Sequence, residues 1–363
     1  MKILLIGEYS NVHATLAEGL RAIGHEVTVV SDGDGWKNYP RDIDVSRRSG
    51  KLGGILLTAK LYTLLPRLRG YDVVQLINPM FFELKAERLF FFYDYLRRHN
   101  KKVFLGGYGM DWYWVHTCTY DKPLRYSDFN FGSEVRTDPE ALRYQQDWLG
   151  TTKEKLNRYI AEDCDGIITG LYEYWACYHP AFPEKTTYIP FPIKMPEHAS
   201  TERAQQSKVV IFIGINRERS AYKGTDIMLR AAERIREKHP HRMKLLVAES
   251  VPFAEYQQMM EGSDAILDQL YAYTPSMNPL LAMSKGIICI GGGEPENYEI
   301  INETELRPII NVEPTYESVC QALEELVLHP ERIPELKRQS IEYVRKHHDY
   351  IKVARQYLDF WTS

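Results

Sequence analysis

Short apolar runs alternate with amphipathic helical segments along most of this 363-residue chain. The first cycle comprises the run Lys2–Ile6, a predicted helix with Val12 and Leu16 on one face, and the run Glu26–Ser31. Short apolar strands separated by helices are typical of parallel sheets, because each parallel pair needs a long crossover connection. The chain is therefore predicted to be α/β, with doubly wound sheets covered by helices on both faces.

A proline-rich stretch divides this pattern into two halves. The alternation pauses at YIPFPIKMPE and resumes at residue 208. We predict a Rossmann-like domain over residues 1–190, a linker over 191–205 and a second Rossmann-like domain over 206–346. A final helix over 347–363 has an apolar face that must pack on one of the two domains.

Composition excludes several classes of protein. No apolar run approaches the roughly 20 residues that span a bilayer, and the first ten residues lack the features of a signal peptide. The five cysteines are odd in number, widely spaced and form no C-x-x-C pair, which argues against a zinc knuckle and for a reducing compartment. The net charge of −4 argues against nucleic acid as a partner. We expect a cytoplasmic globular protein with no nucleic-acid partner.

One loop of the second half combines features that suit a phosphate group. After the apolar run KVVIFIG, the loop contains Arg217, Arg219 and Lys223, and Thr225 is expected to cap the following helix. Cations just before a helix N-terminus add to the positive end of the helix dipole, which suits a diphosphate. A solvated basic loop is the alternative.

A second anion site is predicted in TPSMNPLLAMSKG. Asn278 is expected as the N-cap and Pro279 as the first helical residue, so that backbone N–H groups around Ser276, Met277 and Asn278 are available to an anion. A buried helix without a ligand is the alternative.

Three glutamates follow in the glycine-rich loop GGGEPENYEI. Carboxylates such as those of Glu294, Glu296 and Glu299 can accept hydrogen bonds from ribose or sugar hydroxyl groups, and glycines allow a ligand to approach the backbone. A surface turn with solvated acids is the alternative.

These segments resemble the retaining GT-B glycosyltransferases of family 4, the "glycosyl transferases group 1" type, over nearly the whole chain. Arg217 and Lys223 have the spacing of the family's basic pair, which holds the donor diphosphate, and Arg219 is an alternative partner for Lys223. The stretch LLAMSKGIICIGGGEPENYEI is similar to the family's E-A-M-A-x-G-x-P-V-I segment. Residues Gly7 and His13 lie in a segment that resembles its N-terminal glycine loop.

The resemblance implies a fold as well as an activity. In GT-B proteins two Rossmann-like domains face each other across a cleft, and the terminal helix packs back on the first domain. The implied activity is a hexosyltransferase that moves a sugar from a UDP- or GDP-linked donor to a glycan or lipid-linked acceptor, with retention, in surface polysaccharide or glycoconjugate synthesis. Arg217 or Arg219, together with Lys223, would stabilise the departing diphosphate, so neither a cofactor nor a metal is expected.

One departure from the family concerns its two glutamates separated by seven residues. These positions are Tyr273 and Leu281 here. Either Glu294, Glu296 or Glu299 replaces the missing glutamates, or the donor is bound differently, or the protein is a degenerate member that binds a nucleotide sugar or a partner subunit without catalysis. A sugar-nucleotide epimerase is a further alternative. A nicotinamide dehydrogenase is disfavoured because GEYSNV lacks the G-x-G-x-x-G pattern.

The acceptor is expected on the N-terminal half. Asp111, in GGYGMDWYW, is predicted to contact acceptor or donor hydroxyl groups, with a helix cap as the alternative. Residues 37–69 contain eight Lys and Arg against two Asp around the apolar GGILLTAKLYTLL. Such a surface suits a lipid-linked acceptor and peripheral contact with the inner face of an anionic membrane, whereas a core helix with solvated cations is the alternative.

Overall fold

A computed structural model describes residues 1–197, 199, 208–249 and 251–363. Residues 198 and 200–205 of the predicted linker lie outside the described residues. The strands are β1 (Lys2–Ile6), β2 (Glu26–Ser31), β3 (Ile43–Asp44), β4 (Val73–Leu76), β5 (Lys102–Gly107), β6 (Asn130–Phe131), β7 (Glu134–Val135), β8 (Gly166–Thr169), β9 (Thr186–Tyr188), β10 (Val209–Ile215), β11 (Met243–Glu249), β12 (Ala265–Leu267), β13 (Ile288–Gly291) and β14 (Ile310–Asn311).

The α-helices lie between these strands and after the last of them. They are α1 (Val12–Ala22), α2 (Gly50–Leu64), α3 (Ala86–His99), α4 (Trp112–His116), α5 (Pro139–Trp148), α6 (Thr152–Asp163), α7 (Tyr172–Tyr178), α8 (Ser220–Lys223), α9 (Thr225–Lys238), α10 (Phe253–Met260), α11 (Met277–Ser284), α12 (Pro295–Glu299), α13 (Tyr316–Leu328), α14 (Ile333–His347) and α15 (Tyr350–Thr362). The predicted alternation of strands and helices is confirmed.

The first compact unit contains the longer sheet. Unit 1 comprises Met1–Pro123, Arg143–Pro192 and Tyr350–Ser363. Its seven strands are ordered β3-β2-β1-β4-β5-β8-β9, and every neighbouring pair is parallel. The central strand β1 is buried from Ile3 to Ile6, as expected for a parallel sheet with helices on both faces.

The second unit repeats the architecture on a smaller scale. Unit 2 comprises Leu124–Leu142 and Ile193–Asp349. Its main sheet is parallel and ordered β11-β10-β12-β13-β14. The hydrophobic core on one side of this sheet contains Ile211, Ile213 and Leu267 from the strands, together with Met228 from α9 and Leu323 from α13. Both units are therefore Rossmann-like and α/β, as predicted.

Residues 124–142 are the main difference from the predicted domain boundaries. The sequence placed all of residues 1–190 in the first domain, whereas the structure groups Leu124–Leu142 with unit 2. This segment, called segment 124–142 below, contains the short antiparallel pair β6–β7. It joins unit 2 because its polar side chains bond to loops there, as described in the next subsection.

The final helix, α15, belongs to unit 1. It packs against α1 at Gly19, where an added Cβ atom would lie 2.4 Å from the carbonyl oxygen of Tyr350. Its Trp361 is buried and donates its indole N–H to Oε1 of Gln75 at 3.3 Å. Glycine at position 19 is what permits this close approach.

Candidate functional site

The strand order reverses at one point in each sheet. In unit 1 the chain passes from β1 to β2 and β3 on one side and then crosses to β4 on the other side of β1. In unit 2 it passes from β10 to β11 on one side and then crosses to β12 on the other. Open α/β sheets bind ligands at the carboxyl ends of the strands beside such a reversal. Five of the predicted site residues follow β1 or β10 directly, namely Gly7, His13, Arg217, Arg219 and Lys223.

The loop after β10 holds its two arginines in ion pairs. Arg217 is exposed and donates to Oε2 of Glu249 at 3.0 Å. Arg219 donates from Nε to Oε1 of Glu140, in segment 124–142, at 2.9 Å. Lys223 ends α8 and is half-buried. Both arginines are thus engaged by carboxylates of their own unit.

Helix α9 begins differently from the prediction. Gly224, with φ of 73°, occupies the N-cap position, and Thr225 is the first helical residue. The Thr225 hydroxyl lies 2.9 Å from that of Ser220 instead of capping the helix. The backbone of the N-cap residue is left-handed, a conformation that favours glycine. Gly224 therefore occupies the N-cap position in place of Thr225.

A polar cluster that the sequence did not reveal surrounds Asp268, directly after β12. Its carboxylate accepts a hydrogen bond from Asn278, and Nδ2 of Asn278 also lies 2.9 Å from the hydroxyl of Tyr256. Burial raises the pKa of Asp268 to about 6, while the positive charge of Lys223 and the bond from Asn278 oppose that rise. Lys223, Asp268 and Asn278 therefore meet beside the reversal between β10 and β12.

Helix α11 starts two residues before the predicted position. Ser276 is the N-cap residue, and Met277 and Asn278 are already helical. Pro279 is therefore the third helical residue, which is tolerated because the first-turn N–H groups have no partner within the helix. The prediction that Asn278 caps the helix was wrong, because its side chain bonds to Asp268 and Tyr256 instead.

Two of the three predicted glutamates bond to segment 124–142. Glu294 is buried and accepts hydrogen bonds from the Tyr126 hydroxyl and from Nη2 of Arg125, the latter at 2.7 Å. Glu296 accepts from Nη1 of Arg125 at 2.6 Å. Glu299, at the end of α12, is exposed. The carboxylates of Glu294 and Glu296 therefore have hydrogen-bond partners within the protein, without a ligand.

Aromatic residues of unit 2 hold the rest of segment 124–142. The guanidinium group of Arg136 lies 3.6 Å from the ring centroid of Tyr271 and donates to the carbonyl oxygens of Ala221 and Tyr222 at 2.9 and 3.0 Å. Tyr222 in turn donates its hydroxyl to Asp128 at 2.7 Å. The segment thereby contacts the loops after β10, β12 and β13, which are the loops expected to bind a donor.

In unit 1 the loop after β1 is tightly packed. Gly7 has a φ of 85°, and an added Cβ would lie 2.2 Å from Cγ2 of Ile77. Glu8 is buried and accepts hydrogen bonds from the backbone N–H groups of His13 and Ala14, at 3.3 and 2.8 Å. Burial raises the pKa of Glu8 to about 8 despite these bonds. Glu8 is a titratable residue at this edge that the sequence did not single out.

His13 is buried in the first turn of α1, directly after this loop. Its Nδ1 lies 2.8 Å from the carbonyl oxygen of Gly7, so Nδ1 carries the proton in the neutral ring. Its Nε2 has no hydrogen-bond partner among the described residues. Burial lowers the pKa of His13 to about 3, so the ring is neutral at physiological pH.

Asp111 caps helix α4. It is buried and accepts hydrogen bonds from the backbone N–H of Trp114 at 2.9 Å and from the hydroxyl of Tyr178 at 2.7 Å. Burial raises its pKa to about 7. The alternative of a helix cap is thus observed, and a contact with substrate stays a prediction.

The described part of the chain contains neither a metal-binding cluster nor a membrane-spanning helix. There, no group of three or more His, Cys, Asp or Glu side chains is arranged to hold a metal ion. None of the helices in these ranges is both long enough and apolar enough to cross a bilayer.

Two doubly wound parallel sheets, each with its reversal beside the first strand, together give the chain the GT-B fold. Its solved structural neighbours include sucrose-phosphate synthase from Thermosynechococcus elongatus, at 13% sequence identity and a TM-score of 0.64 over 100% of this chain and 98% of that one. Anabaena HepE in complex with UDP and glucose is 12% identical, with a TM-score of 0.60 over 100% of both chains.

A third neighbour is WaaG, a glycosyltransferase involved in lipopolysaccharide biosynthesis, at 13% identity and a TM-score of 0.60 over 100% of both chains. No protein-family model matches the chain, and no curated sequence is similar to it. At these identities the likeness establishes the fold.

Proposed function

We propose that this protein is a glycosyltransferase that takes a sugar from a UDP- or GDP-linked donor and transfers it to a glycan or lipid-linked acceptor. The GT-B fold supports the class, because the neighbouring structures are of enzymes that build glycosidic bonds, and HepE is crystallised with UDP and glucose. The observation that carries the proposal for this chain is the cluster of Lys223, Asp268 and Asn278 at the reversal of the second sheet.

Lys223 and the start of α11 suit a leaving diphosphate. Lys223 supplies a positive charge, and α11 begins at Ser276 with backbone N–H groups that have no partner within the helix. Such preorganised donors stabilise the negative charge that develops as the bond between sugar and diphosphate breaks. Arg217 lies in the same loop and is exposed, so a bound diphosphate could compete with Glu249 for its guanidinium group.

Transfer with retention, and a role in surface polysaccharide or glycoconjugate synthesis, are the finer parts of the proposal. They are supported by the resemblance to family 4 enzymes, whose basic pair matches Arg217 and Lys223. In such a reaction the diphosphate leaves from the face that the acceptor attacks, and its oxygen can take the proton of the acceptor hydroxyl. A strong protein base is then not required.

A second candidate function is binding of a nucleotide sugar without turnover. The observation in its favour is that Tyr273 replaces a motif glutamate, while Glu294 and Glu296 already bond to Arg125. Two of the three glutamates that could replace the missing ones are thus paired with an arginine, while the third, Glu299, is exposed.

Nucleotide binding is the first experiment. Thermal denaturation with UDP, GDP and their sugar conjugates should show a rise in melting temperature for the wild type that is lost in Lys223→Ala and kept in Lys244→Ala, an exposed control in the same unit. A ligand at about 100 times its Kd stabilises by about 2.7 kcal/mol. If no nucleotide raises the melting temperature, the proposal fails.

Incubation of the bound nucleotide sugar with and without acceptors then separates the alternatives. Consumption of the donor only with an acceptor supports the transferase, and conversion of the sugar without any acceptor identifies an epimerase. Binding without consumption supports the second candidate. The configuration of the product's new bond reports retention.

A further inference from the structure

Helix α2 is apolar on two opposite faces. Its Leu57, Leu61 and Leu64 are buried in the core of unit 1. On the other side Leu52, Ile55 and Leu56 are 73%, 58% and 53% exposed. Residues three and four apart lie on one face of a helix, so these three side chains form a continuous apolar strip. A helix that is apolar all round is normally buried on all sides.

An exposed tryptophan lies at the same corner of unit 1. Trp36, in the loop after β2, is 68% exposed. Strands β2 and β3 are paired neighbours at the edge of the sheet, and α2 follows β3. The loop after β2 and the first turns of α2 therefore both start from the carboxyl ends of adjacent parallel strands.

The surroundings of the strip are strongly basic. Residues 45–70 contain six Lys and Arg and no Asp or Glu. Arg47 and Arg48, both exposed, precede the strip, and the exposed Arg67 and Arg69 follow the helix. Two carboxylates lie beside these cations. Asp44 lies 3.9 Å from Lys60 but is already paired with Arg41, and Glu83 accepts a hydrogen bond from the backbone of Arg47.

We propose that Trp36 and the exposed face of α2 dock on an anionic lipid surface. Apolar side chains flanked by cations insert at the boundary between headgroups and acyl chains, and tryptophan favours that depth. Each Lys or Arg near an anionic surface strengthens the attachment. Charge complementarity selects the bilayer over a second copy of this chain, because two such helices would bring together six Lys and Arg from each copy, and these outnumber the nearby carboxylates of Asp44 and Glu83.

This surface goes beyond the proposed function and does not depend on it. If the proposed function also holds, docking brings the loop after β1, at the same edge of the sheet, close to the lipid. That position favours a lipid-linked acceptor over a soluble glycan. This conclusion about the acceptor rests on the proposed function.

The test is co-sedimentation of the whole chain, without nucleotide, with phosphatidylcholine vesicles that contain or lack phosphatidylglycerol. We expect binding only to the anionic vesicles, weakening as salt is added. The double variants Ile55→Ser/Leu56→Ser and Arg47→Glu/Arg48→Glu should each reduce the partition coefficient by about tenfold or more. The single variants Leu328→Ser and Lys155→Glu, at exposed positions elsewhere, should bind as the wild type does.

A second readout follows Trp36 itself. Vesicles should shift the tryptophan emission to the blue in the wild type, and Trp36→Phe should remove most of that shift although five other tryptophans remain. Melting temperatures of all variants check that the fold is intact, as expected because the replaced side chains are exposed.

Three outcomes would overturn the proposal. They are failure of the wild type to bind anionic vesicles at low salt, unchanged binding by both double variants, and a wild-type dimer in sedimentation velocity that Ile55→Ser/Leu56→Ser dissociates. Since no nucleotide is present, none of them bears on the transferase, and failure of the nucleotide-binding experiment leaves the docking surface untouched.

Discussion

The hydroxyl group of Tyr273 accepts a hydrogen bond from the backbone N–H of Arg125 at 2.7 Å. The guanidinium group of Arg125 also lies 5.0 Å from the centroid of the Tyr273 ring, and the ring of Tyr126 lies 4.9 Å from the same ring. The resemblance to family 4 would place the first motif glutamate at this position. Tyr273 is one of the residues that hold segment 124–142, together with Tyr271 and Glu294.

The bond between Tyr126 and Glu294 should contribute to the stability of unit 2. Tyr126→Phe removes a hydroxyl donor from a buried carboxylate, so we expect the free energy of unfolding to fall by about 1–3 kcal/mol. Urea denaturation measures it, with Tyr120→Phe, at an exposed position, as the matched control. In a double-mutant cycle with Glu294→Gln, strictly additive losses would show that the two side chains do not interact.

A buried ion pair joins α14 to the main sheet of unit 2. Nζ of Lys337 lies 3.2 Å from Oδ1 of Asp264, and both side chains are buried. Lys337→Ala removes the ammonium group that balances a buried carboxylate and should lower the free energy of unfolding by about 3–5 kcal/mol. Lys285→Ala breaks the more exposed pair with Glu261 and should cost less than about 1 kcal/mol. Equal losses in the two variants would contradict this account.

Glu8 should make stability depend on pH. Its pKa is raised from 4.5 to about 8 by burial, so the folded protein holds this proton more tightly than the unfolded chain. The resulting stabilisation is complete below about pH 4.5 and is lost as the pH rises through about 8. Glu8→Gln removes this dependence, so its stability relative to wild type should be greater at pH 9 than at pH 5. Chemical denaturation at both values tests this, and a constant difference would refute it.

Asp111 allows stability and substrate contact to be separated. Asp111→Ala removes the cap of α4 and the bond to Tyr178, and should lower the free energy of unfolding by about 1–3 kcal/mol. Asp111→Asn keeps an acceptor oxygen for the cap and should be closer to wild type. If Asp111→Asn unfolds like wild type but loses donor turnover, the predicted contact with substrate hydroxyls gains support.

The architecture was predictable because its signals are local. The runs Lys2–Ile6 and Glu26–Ser31 became strands with the predicted bounds. Their apolar composition and the amphipathic helices between them suffice to specify parallel sheets. The start of α11 was misplaced by two residues because Pro279 is compatible with several positions in a first turn.

Segment 124–142 and the cluster at Asp268 were not predictable in the same way. The segment, LRYSDFNFGSEVRTDPEAL, has neither the period of a helix nor that of a long strand. Its position depends on contacts with residues far along the chain, such as Tyr273 and Glu294. A single aspartate after β12 likewise has no distinguishing pattern until Asn278 and Lys223 are brought beside it.

The division of the chain into units has a consequence for its synthesis. Unit 1 contains α15, which is made after all of unit 2, although its first strand is made before any part of unit 2. The face of α1 that packs against α15 therefore stays uncovered while residues 193–349 are translated. During that interval the nascent first unit exposes apolar surface, and a chaperone that shields α1 would have its longest opportunity there.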